Sequence, residues 1–332
     1  MLLEELTQTF GVSGYEKGVA ELIVKNIQNN VDEIRTDTLG NVITLKKGNG
    51  DCKKNIMVVS HMDEIGFSVM KITDEGFLKV KKMGGISAHT SYMNRIRFKN
   101  GVGGVIGCSE KIEKIEAADI HKLYVDIGAG FKKDAEALIK VGEPACYVGE
   151  YQRLAGNCVT AKALDDRIGC YILIETLRKS AKFYNDVYFV FSVQEEVGLV
   201  GATTASSRLN PDIGIAVDIT GAFDTPDNRD GSAVLGGGAA IKVVDNLVIC
   251  DEYLVAEMAS CAQSNHIAYQ MDVLAGGGTD AGAINKSNYG VKSGGISIPT
   301  RYGHSPHAIV NMDDVNACIE LLSAFVNREF SC

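Results

Sequence analysis

Histidines and acidic side chains follow four apolar, strand-like runs of this sequence at the points where the runs end. The runs and the residues after them are 55–60 with His61 and Asp63, 187–193 with Glu195 and Glu196, 213–217 with Asp218, and 295–298 with His304. A further acidic pair, Asp165 and Asp166, begins a helix-like segment. Ligand sites of open α/β sheets form outside the carboxyl ends of the strands, so one crevice is expected to collect these side chains.

Side chains of these types bind divalent metal ions. Two imidazoles and several carboxylates suit zinc, manganese or cobalt better than calcium or magnesium, which prefer oxygen ligands alone. The absence of cysteine from the set argues against a closed structural zinc site. Carboxylates outnumber imidazoles, which favours two metal ions, about 3.5–4 Å from each other, that share an acid and hold an attacking water between them.

Each part of this set also has an ordinary structural interpretation. A Glu–Glu pair after a strand is usually a solvated turn, and Asp165 and Asp166 could cap a helix and complement its dipole. A histidine after a strand is more often a hydrogen-bonded polar residue than a ligand, and Asp218 could begin a turn. Taken together, these structural interpretations are less convincing than each is alone, because chance would not place an acid or a histidine at the end of every predicted core strand.

Two kinds of sequence pattern occur along the chain, and together they predict the fold class. Segments 1–65 and 158–332 alternate amphipathic helices with short apolar runs, which predicts an α/β three-layer sandwich around a mostly parallel central sheet. Residues 66–157 hold short alternating runs between glycine clusters, which predicts a small β domain. We therefore expect one α/β domain, 1–65 and 158–332, interrupted by an inserted β domain at 66–157.

Composition excludes several classes of protein. The chain has 332 residues and a formal net charge of -9, and this acidic balance argues against a nucleic-acid partner. No stretch approaches the ~20 apolar residues that span a membrane, so no membrane partner is expected. The N-terminus is acidic and is not expected to be a signal peptide, which favours a cytoplasmic location. The nine cysteines have no CxxC spacing and are expected to be reduced.

Six motifs, in this order along the chain, resemble the tetrahedral (TET-type) di-metal aminopeptidases, a family that includes glutamyl and deblocking aminopeptidases. The motifs are HMDEIG at 61–66, ALDDRIG at 163–169, QEEVGLVGA at 194–202, AVDIT at 216–220, GGGTDAGAI at 276–284 and PTRYGHSPHAIV at 299–310. The resemblance covers nearly the whole chain, and no metal or catalytic position departs from the family pattern.

The resemblance implies two divalent metal ions in each subunit. His61, Asp165 and Asp218 would hold one of them. Asp165, Glu196 and His304 would hold the other, so that Asp165 bridges the pair, and the peptide bond after Asp165 would be cis. Zinc or cobalt is the expected metal, and manganese is compatible with the same ligands.

The resemblance also implies how a peptide is hydrolysed at its N-terminal residue. Glu195 would be the general base that takes a proton from the attacking water and passes it to the leaving amine. Asp63 would orient His61. Asp280 is a candidate wall of the pocket for the free amine of the substrate, and Arg301 is a candidate substrate contact.

Assembly is a further expectation from the family. Its inserted domain is PDZ-like and makes subunit contacts, and its members form dimers that build hollow tetrahedral dodecamers. For this chain the resemblance implies that residues 66–157 serve those contacts. An interior chamber would admit short peptides and exclude folded proteins, so short peptides are the expected substrates.

Two other kinds of function stay open at this point. The same site would suit a di-metal deacylase or amidohydrolase, or an endoglucanase, a label that some family members carry. A glycosidase needs two carboxylates that flank a sugar, without an obligate metal ion. A non-catalytic shell or binding module is the alternative from another class, and the intact ligand set argues against it.

Overall fold

The structure is a computed structural model that describes residues 1–111, 114, 119–179, 183–226, 228 and 231–330. Helices and strands are numbered in chain order. The strands of its main sheet are β1 (Glu33–Thr36), β2 (Val42–Lys46), β3 (Asn55–His61), β10 (Gln152–Arg153), β11 (Cys158–Ala161), β12 (Asp186–Ser192), β13 (Ile213–Gly221), β14 (Ala239–Val244), β15 (Tyr269–Val273), β16 (Lys292–Arg301) and β17 (Ala308–Asn311).

The strands of this sheet follow the order β1-β2-β12-β3-β13-β16-β17-β11-β10, with β14 paired to β16 and β15 to β14. The four central strands, β12, β3, β13 and β16, are parallel to one another. Because both faces of a central strand are covered, the run IMVV at 56–59 is apolar throughout rather than alternating. The parallel strands end at the same edge of the sheet, where the predicted site residues lie.

Helices cover both faces of the sheet and make three layers. One face carries α1 (Leu2–Gln8), α2 (Lys17–Ile27), α5 (Leu164–Lys179), α7 (Glu252–Ser264) and α9 (Met312–Val326). The other face carries α6 (Val200–Leu209) and α8 (Ala281–Asn285). Ile56 and Val58 pack into the first layer, and Met57 and Val59 pack into the second. The predicted α/β class with a mostly parallel sheet is therefore confirmed.

A second sheet closes into a small barrel with its own apolar core. The elements of this part of the chain are β4 (Gly66–Ile72), β5 (Leu78–Met83), α3 (Ala88–Ser91), β6 (Arg95–Phe98), β7 (Gly103–Cys108), β8 (Leu123–Asp126), α4 (Lys132–Leu138) and β9 (Pro144–Tyr147). The strands of the barrel follow the order β4-β5-β8-β7-β6-β9. Strand β10 already pairs with β11 of the main sheet. The limits of the inserted domain and its use in subunit contacts stay predictions.

Two smaller sequence predictions concern membranes and cysteines. In the part of the chain that the structure describes, no helix combines the length and the apolar character needed to cross a bilayer. Cys52 is disulfide-bonded, so the prediction that all nine cysteines are reduced is wrong. The free thiols among the described residues are Cys108, Cys146, Cys158, Cys170, Cys250, Cys261 and Cys318.

Candidate metal centre

The Asp165 carboxylate lies between two imidazoles. Its Oδ1 is 3.1 Å from Nε2 of His61, and its Oδ2 is 3.0 Å from Nε2 of His304. His61 ends β3, Asp165 lies in the non-helical start of α5, and His304 follows β16. The peptide bond between Asp165 and Asp166 is cis. Each carboxylate oxygen faces a different histidine, and this geometry suits a carboxylate shared by two cations.

Two more carboxylates complete the cluster. Asp218 Oδ1 is 4.0 Å from Nε2 of His61, and Glu196 Oε1 is 3.8 Å from Nε2 of His304. Three groups offer ligand atoms that all lie within 4.8 Å of one another. They are His61 with Asp165 and Asp218, Asp165 with Glu196 and His304, and His61 with Glu195 and Glu196. The first two groups contain the residues that the resemblance assigned to the two ions.

Backbone carbonyls fix the orientation of both histidines. Nδ1 of His61 is 3.0 Å from the carbonyl oxygen of Asp63, and Nδ1 of His304 is 2.9 Å from that of Gly85. A carbonyl oxygen only accepts hydrogen bonds, so each Nδ1 is the donor. When the ring is neutral, its Nε2 lone pair would then be available to a metal ion.

The fully buried Asp63 carboxylate holds the turn that carries the two glutamates. Its Oδ1 accepts the backbone N–H of Glu195 at 2.9 Å, and its Oδ2 accepts that of Glu196 at 3.2 Å. The Ser13 hydroxyl also donates to Oδ2, at 2.6 Å. Asp63 Oδ1 lies 3.4 Å from Nδ1 of His61. One side chain therefore links the end of β3 to the turn after β12.

The N-terminal segment contributes to the site through contacts that the sequence did not indicate. Glu16 Oε1 accepts the backbone N–H of Gly14 at 2.7 Å and of Gln194 at 3.1 Å. Gln194 has a φ of 56°, in the left-handed region that residues other than glycine seldom adopt, and the hydrogen bond to Glu16 satisfies its N–H there. Ser13 and Glu16 match an ordinary capping pattern, S-x-x-E, before a helix, and that pattern contains no sign of a distant partner.

The barrel also reaches the cluster, through Gly85 beyond β5. A Cβ at Gly85 would lie 2.5 Å from Nδ1 of His304, which only glycine avoids. In the sequence this glycine looks like a separator between strands. Its contact with His304 instead makes the segment after β5 one wall of the metal centre.

A buried ion pair supports the loop after β3. Lys162 Nζ lies 2.7 Å from Glu64 Oε2, and both side chains are almost completely buried. The Arg167 guanidinium donates to the carbonyl oxygens of Met62 and Leu6, and so connects helix α1 to the site. The motifs HMDEIG and ALDDRIG thus combine candidate ligands with residues that hold them in place.

The electrostatics of the cluster fit a divalent cation. Burial, with repulsion from Asp165 added, raises the pKa of the Asp218 carboxyl to about 8 and that of Glu196 to about 7. Oε1 of Glu196 is buried without a hydrogen-bond partner among the described residues. Burial lowers the pKa of His304, but Asp165 outweighs it and raises this pKa to about 10. A cation between these groups would replace the proton and stabilise the buried carboxylates.

The two candidate substrate residues lie in different surroundings. Asp280 is buried at the start of α8, where its Oδ2 accepts the Ser192 hydroxyl at 2.6 Å. Burial raises the pKa of its carboxyl to about 6. Arg301 is paired with Asp224 through two contacts of 2.7 Å. Neither side chain is among the described residues that line the cavity at the cluster, and their substrate contacts stay predictions.

An α/β sandwich that collects imidazoles and carboxylates at the ends of its parallel strands is an arrangement that suits a metal-dependent hydrolase. Residues 40–321 match the family model of M42 glutamyl aminopeptidase. The chain therefore belongs to the M42 glutamyl aminopeptidase family and is a metal-dependent aminopeptidase. The resemblance to TET-type aminopeptidases is confirmed, and the endoglucanase alternative is no more than a mislabelled family name.

Known relatives match over most of their length. The chain is 33% identical over 341 residues to the lysyl aminopeptidase of Pyrococcus furiosus, covering 98% of this chain and 96% of that protein. The structure resembles an aminopeptidase of Desulfurococcus kamchatkensis with a TM-score of 0.94 at 36% identity, covering 99% and 94% of the two chains. It resembles the TET1 peptidase of Pyrococcus horikoshii with a TM-score of 0.86 at 32% identity, covering 99% of each.

Proposed function

We propose that this aminopeptidase binds two divalent metal ions that share Asp165. His61 and Asp218 complete the first ligand set, and Glu196 and His304 complete the second. The observation that supports this most is the position of Asp165, whose two oxygens face different imidazoles at 3.1 Å and 3.0 Å. Zinc or cobalt is the proposed metal, and manganese fits the same donors.

The proposed reaction releases the N-terminal residue of a short peptide. When bound, the metal ions polarise the scissile carbonyl and make the attacking water more acidic. Glu195 accepts a proton from that water and donates it to the leaving amine. Its side chain lines the cavity, and its backbone is held by Asp63. Asp280, whose buried Oδ1 has no hydrogen-bond partner among the described residues, is the proposed acid near the free amine.

Removal of metal ions tests this function directly. Dialysis against a chelator is expected to abolish hydrolysis of aminoacyl nitroanilides, because Glu195 alone cannot polarise the carbonyl. Addition of zinc, cobalt or manganese is expected to restore it, at a stoichiometry of about two ions per chain. Elemental analysis and initial rates are the measurements. Full activity of the metal-free protein would contradict the proposal, and hydrolysis of only N-acylated substrates would favour a deacylase.

Asp63→Asn tests the support of the glutamate turn. An amide cannot accept from Ser13 and from both glutamate N–H groups with one oxygen, so metal affinity or kcat is expected to fall by about 10–100-fold. The matched control is Asp314→Asn, because the buried Asp314 carboxylate accepts two backbone N–H groups away from the cluster. An equal loss of activity in both variants, measured with metal content and thermal unfolding, would mean that Asp63 serves folding alone.

We also propose that copies of this chain associate with one another. The TET1 peptidase of Pyrococcus horikoshii can assemble into a tetrahedron or a large octahedral shell. We propose dimers and a tetrahedral dodecamer for this chain too, with contacts through residues 66–157. Phe131 and Met93 in that segment expose 72% and 65% of their surface, and such contacts would cover them. The particle mass from light scattering tests it. A cytoplasmic location stays a prediction.

A further inference from the structure

A cavity of about 540 Å³ opens at the metal cluster. In the proposed reaction the scissile carbonyl and the free amine of the peptide lie at the cluster, so the side chain of the first residue must enter the rest of this cavity. That remaining part is lined by Leu199, Ile219, Leu247 and Leu274, together with threonines and glycines. The described wall that meets the first side chain is therefore uncharged, and its largest residues are aliphatic.

The part of this wall around Leu247 is held in place by its neighbours. A Cβ at Gly278 would lie 2.4 Å from Cγ of Leu247, and a Cβ at Gly282 would lie 2.6 Å from its Cβ. The leucine thus rests directly on two glycines. The N–H of Asn246 donates to the carbonyl of Gly277 at 3.1 Å and ties the two loops together. An apolar surface that is already fixed loses little conformational entropy when it receives a ligand.

The charges of the cavity all belong to the cluster. Among the described residues of the lining, the ionisable side chains are His61, Asp165, Glu195, Glu196, Asp218 and His304. Lys242 lies behind the lining, where its Nζ is 3.3 Å from Oγ1 of Thr220. The same Nζ is 2.5 Å from Oδ2 of Asp272, and both side chains are fully buried. Since this cation already has its counter-ion, it offers no free charge to a substrate.

We infer that the enzyme selects peptides whose first residue has a neutral aliphatic side chain, such as leucine or methionine. The inference rests on the proposed function and names its substrate class. On the described lining of the cavity, a glutamate side chain would meet no free cation, and a lysine side chain would meet no acid outside the cluster, since Asp280 lies behind the lining. A buried charge without a partner is strongly disfavoured. This preference differs from the glutamyl and lysyl names of the family and of one relative.

A substrate panel on the metal-loaded wild-type protein tests the inference. We expect kcat/KM for leucyl and methionyl nitroanilides to exceed that for the glutamyl and lysyl substrates by at least about 10-fold. Free leucine is expected to inhibit more strongly than free glutamate or lysine, which reports the same pocket without turnover. If the glutamyl or lysyl substrate is hydrolysed fastest, the inference is overturned while the proposed function stands. If no aminoacyl substrate is hydrolysed, both are overturned.

A positive charge introduced into the cavity wall at Leu247 provides a second test. Leu247→Lys is expected to raise the ratio of glutamyl to leucyl kcat/KM by about 10-fold or more, because the new cation can pair with the substrate. Leu247 is 38% exposed, so the longer side chain has room. The matched control is Leu154→Lys, a leucine of 40% exposure outside the cavity, which should leave the ratio unchanged. An unchanged ratio in folded Leu247→Lys, checked by thermal unfolding, would overturn the inference.

Discussion

Glu195→Gln is expected to lower kcat by about 10²–10⁴-fold while the protein keeps its metal ions. Glutamine has nearly the same shape as glutamate and accepts hydrogen bonds, but it cannot take up a proton from the attacking water. The backbone N–H that Asp63 accepts is unchanged by the substitution, so the turn should keep its geometry. Steady-state kinetics on a leucyl nitroanilide and elemental analysis of the same sample measure the two quantities together.

The measurement of metal content separates two roles for Glu195. One of the three possible ligand groups is His61 with Glu195 and Glu196, so Glu195 is also a potential ligand. A fall in metal content in Glu195→Gln would identify it as a ligand, and an unchanged kcat would exclude it as the general base. The matched control is Glu320→Gln, because Glu320 is an exposed glutamate paired with Lys179 at 3.3 Å on the surface. This control should retain both kcat and metal.

Two simple features made the candidate ligands recognisable in the sequence: their position at the ends of apolar runs, and the rule that parallel strands end at one edge of a sheet. His61 and Asp218 follow or end apolar runs, and parallel strands bring their carboxyl ends to one edge. The register confirms this placement, since His61 pairs with Ser192 of β12 and Asp218 with Ser297 of β16. The assignment of Asp165 as a shared ligand came instead from the family resemblance, since spacing alone left a helix cap open.

The residues that hold the ligands could not be found in this way. Glu16 is 178 residues from Gln194 along the chain, and Lys162 is 98 residues from Glu64. Contacts of this kind arise from tertiary packing, and no local pattern of residue types specifies them. Gly85 is a similar case, because glycine in a loop between strands usually indicates a turn and here allows the approach of His304.

The fold, too, is only partly predictable from local sequence patterns. Alternating runs predicted β structure for residues 66–157, because such a pattern records which side chains are buried. Closure into a barrel depends instead on pairing between β4 and β9, whose paired residues are 76 to 80 positions apart along the chain. Cys52 is a further example, since the spacing of the cysteines contained no sign of its disulfide bond.

Asp165→Ala is expected to remove both metal ions, from about two per chain to none, and to abolish activity. Asp165 belongs to two of the ligand groups, and its oxygens face His61 and His304 separately. Its loss leaves two donors in each set, too few to hold an ion firmly against dialysis. Elemental analysis after dialysis in metal-free buffer is the primary measurement.

Asp218→Ala is the matched comparison, because Asp218 belongs to one of the three ligand groups, the group that it forms with His61 and Asp165. This variant is expected to lose one ion and to keep the other, held by Glu196 and His304 with Asp165. Asp74→Ala, a carboxylate with 93% of its side chain exposed in the barrel segment, should keep both ions. The three variants together distinguish a shared ligand from a general loss of acidic charge.

Thermal unfolding gives a readout that does not depend on catalysis. A metal ion that binds only the folded protein stabilises it by about 4 kcal/mol when its concentration is 1,000 times its Kd. Chelation should therefore lower the Tm of the wild-type protein and leave that of Asp165→Ala unchanged. If Asp165→Ala retains a full complement of metal, or responds to chelation as the wild type does, Asp165 does not bridge the ions. Binding of the two metal ions would then not depend on one shared carboxylate.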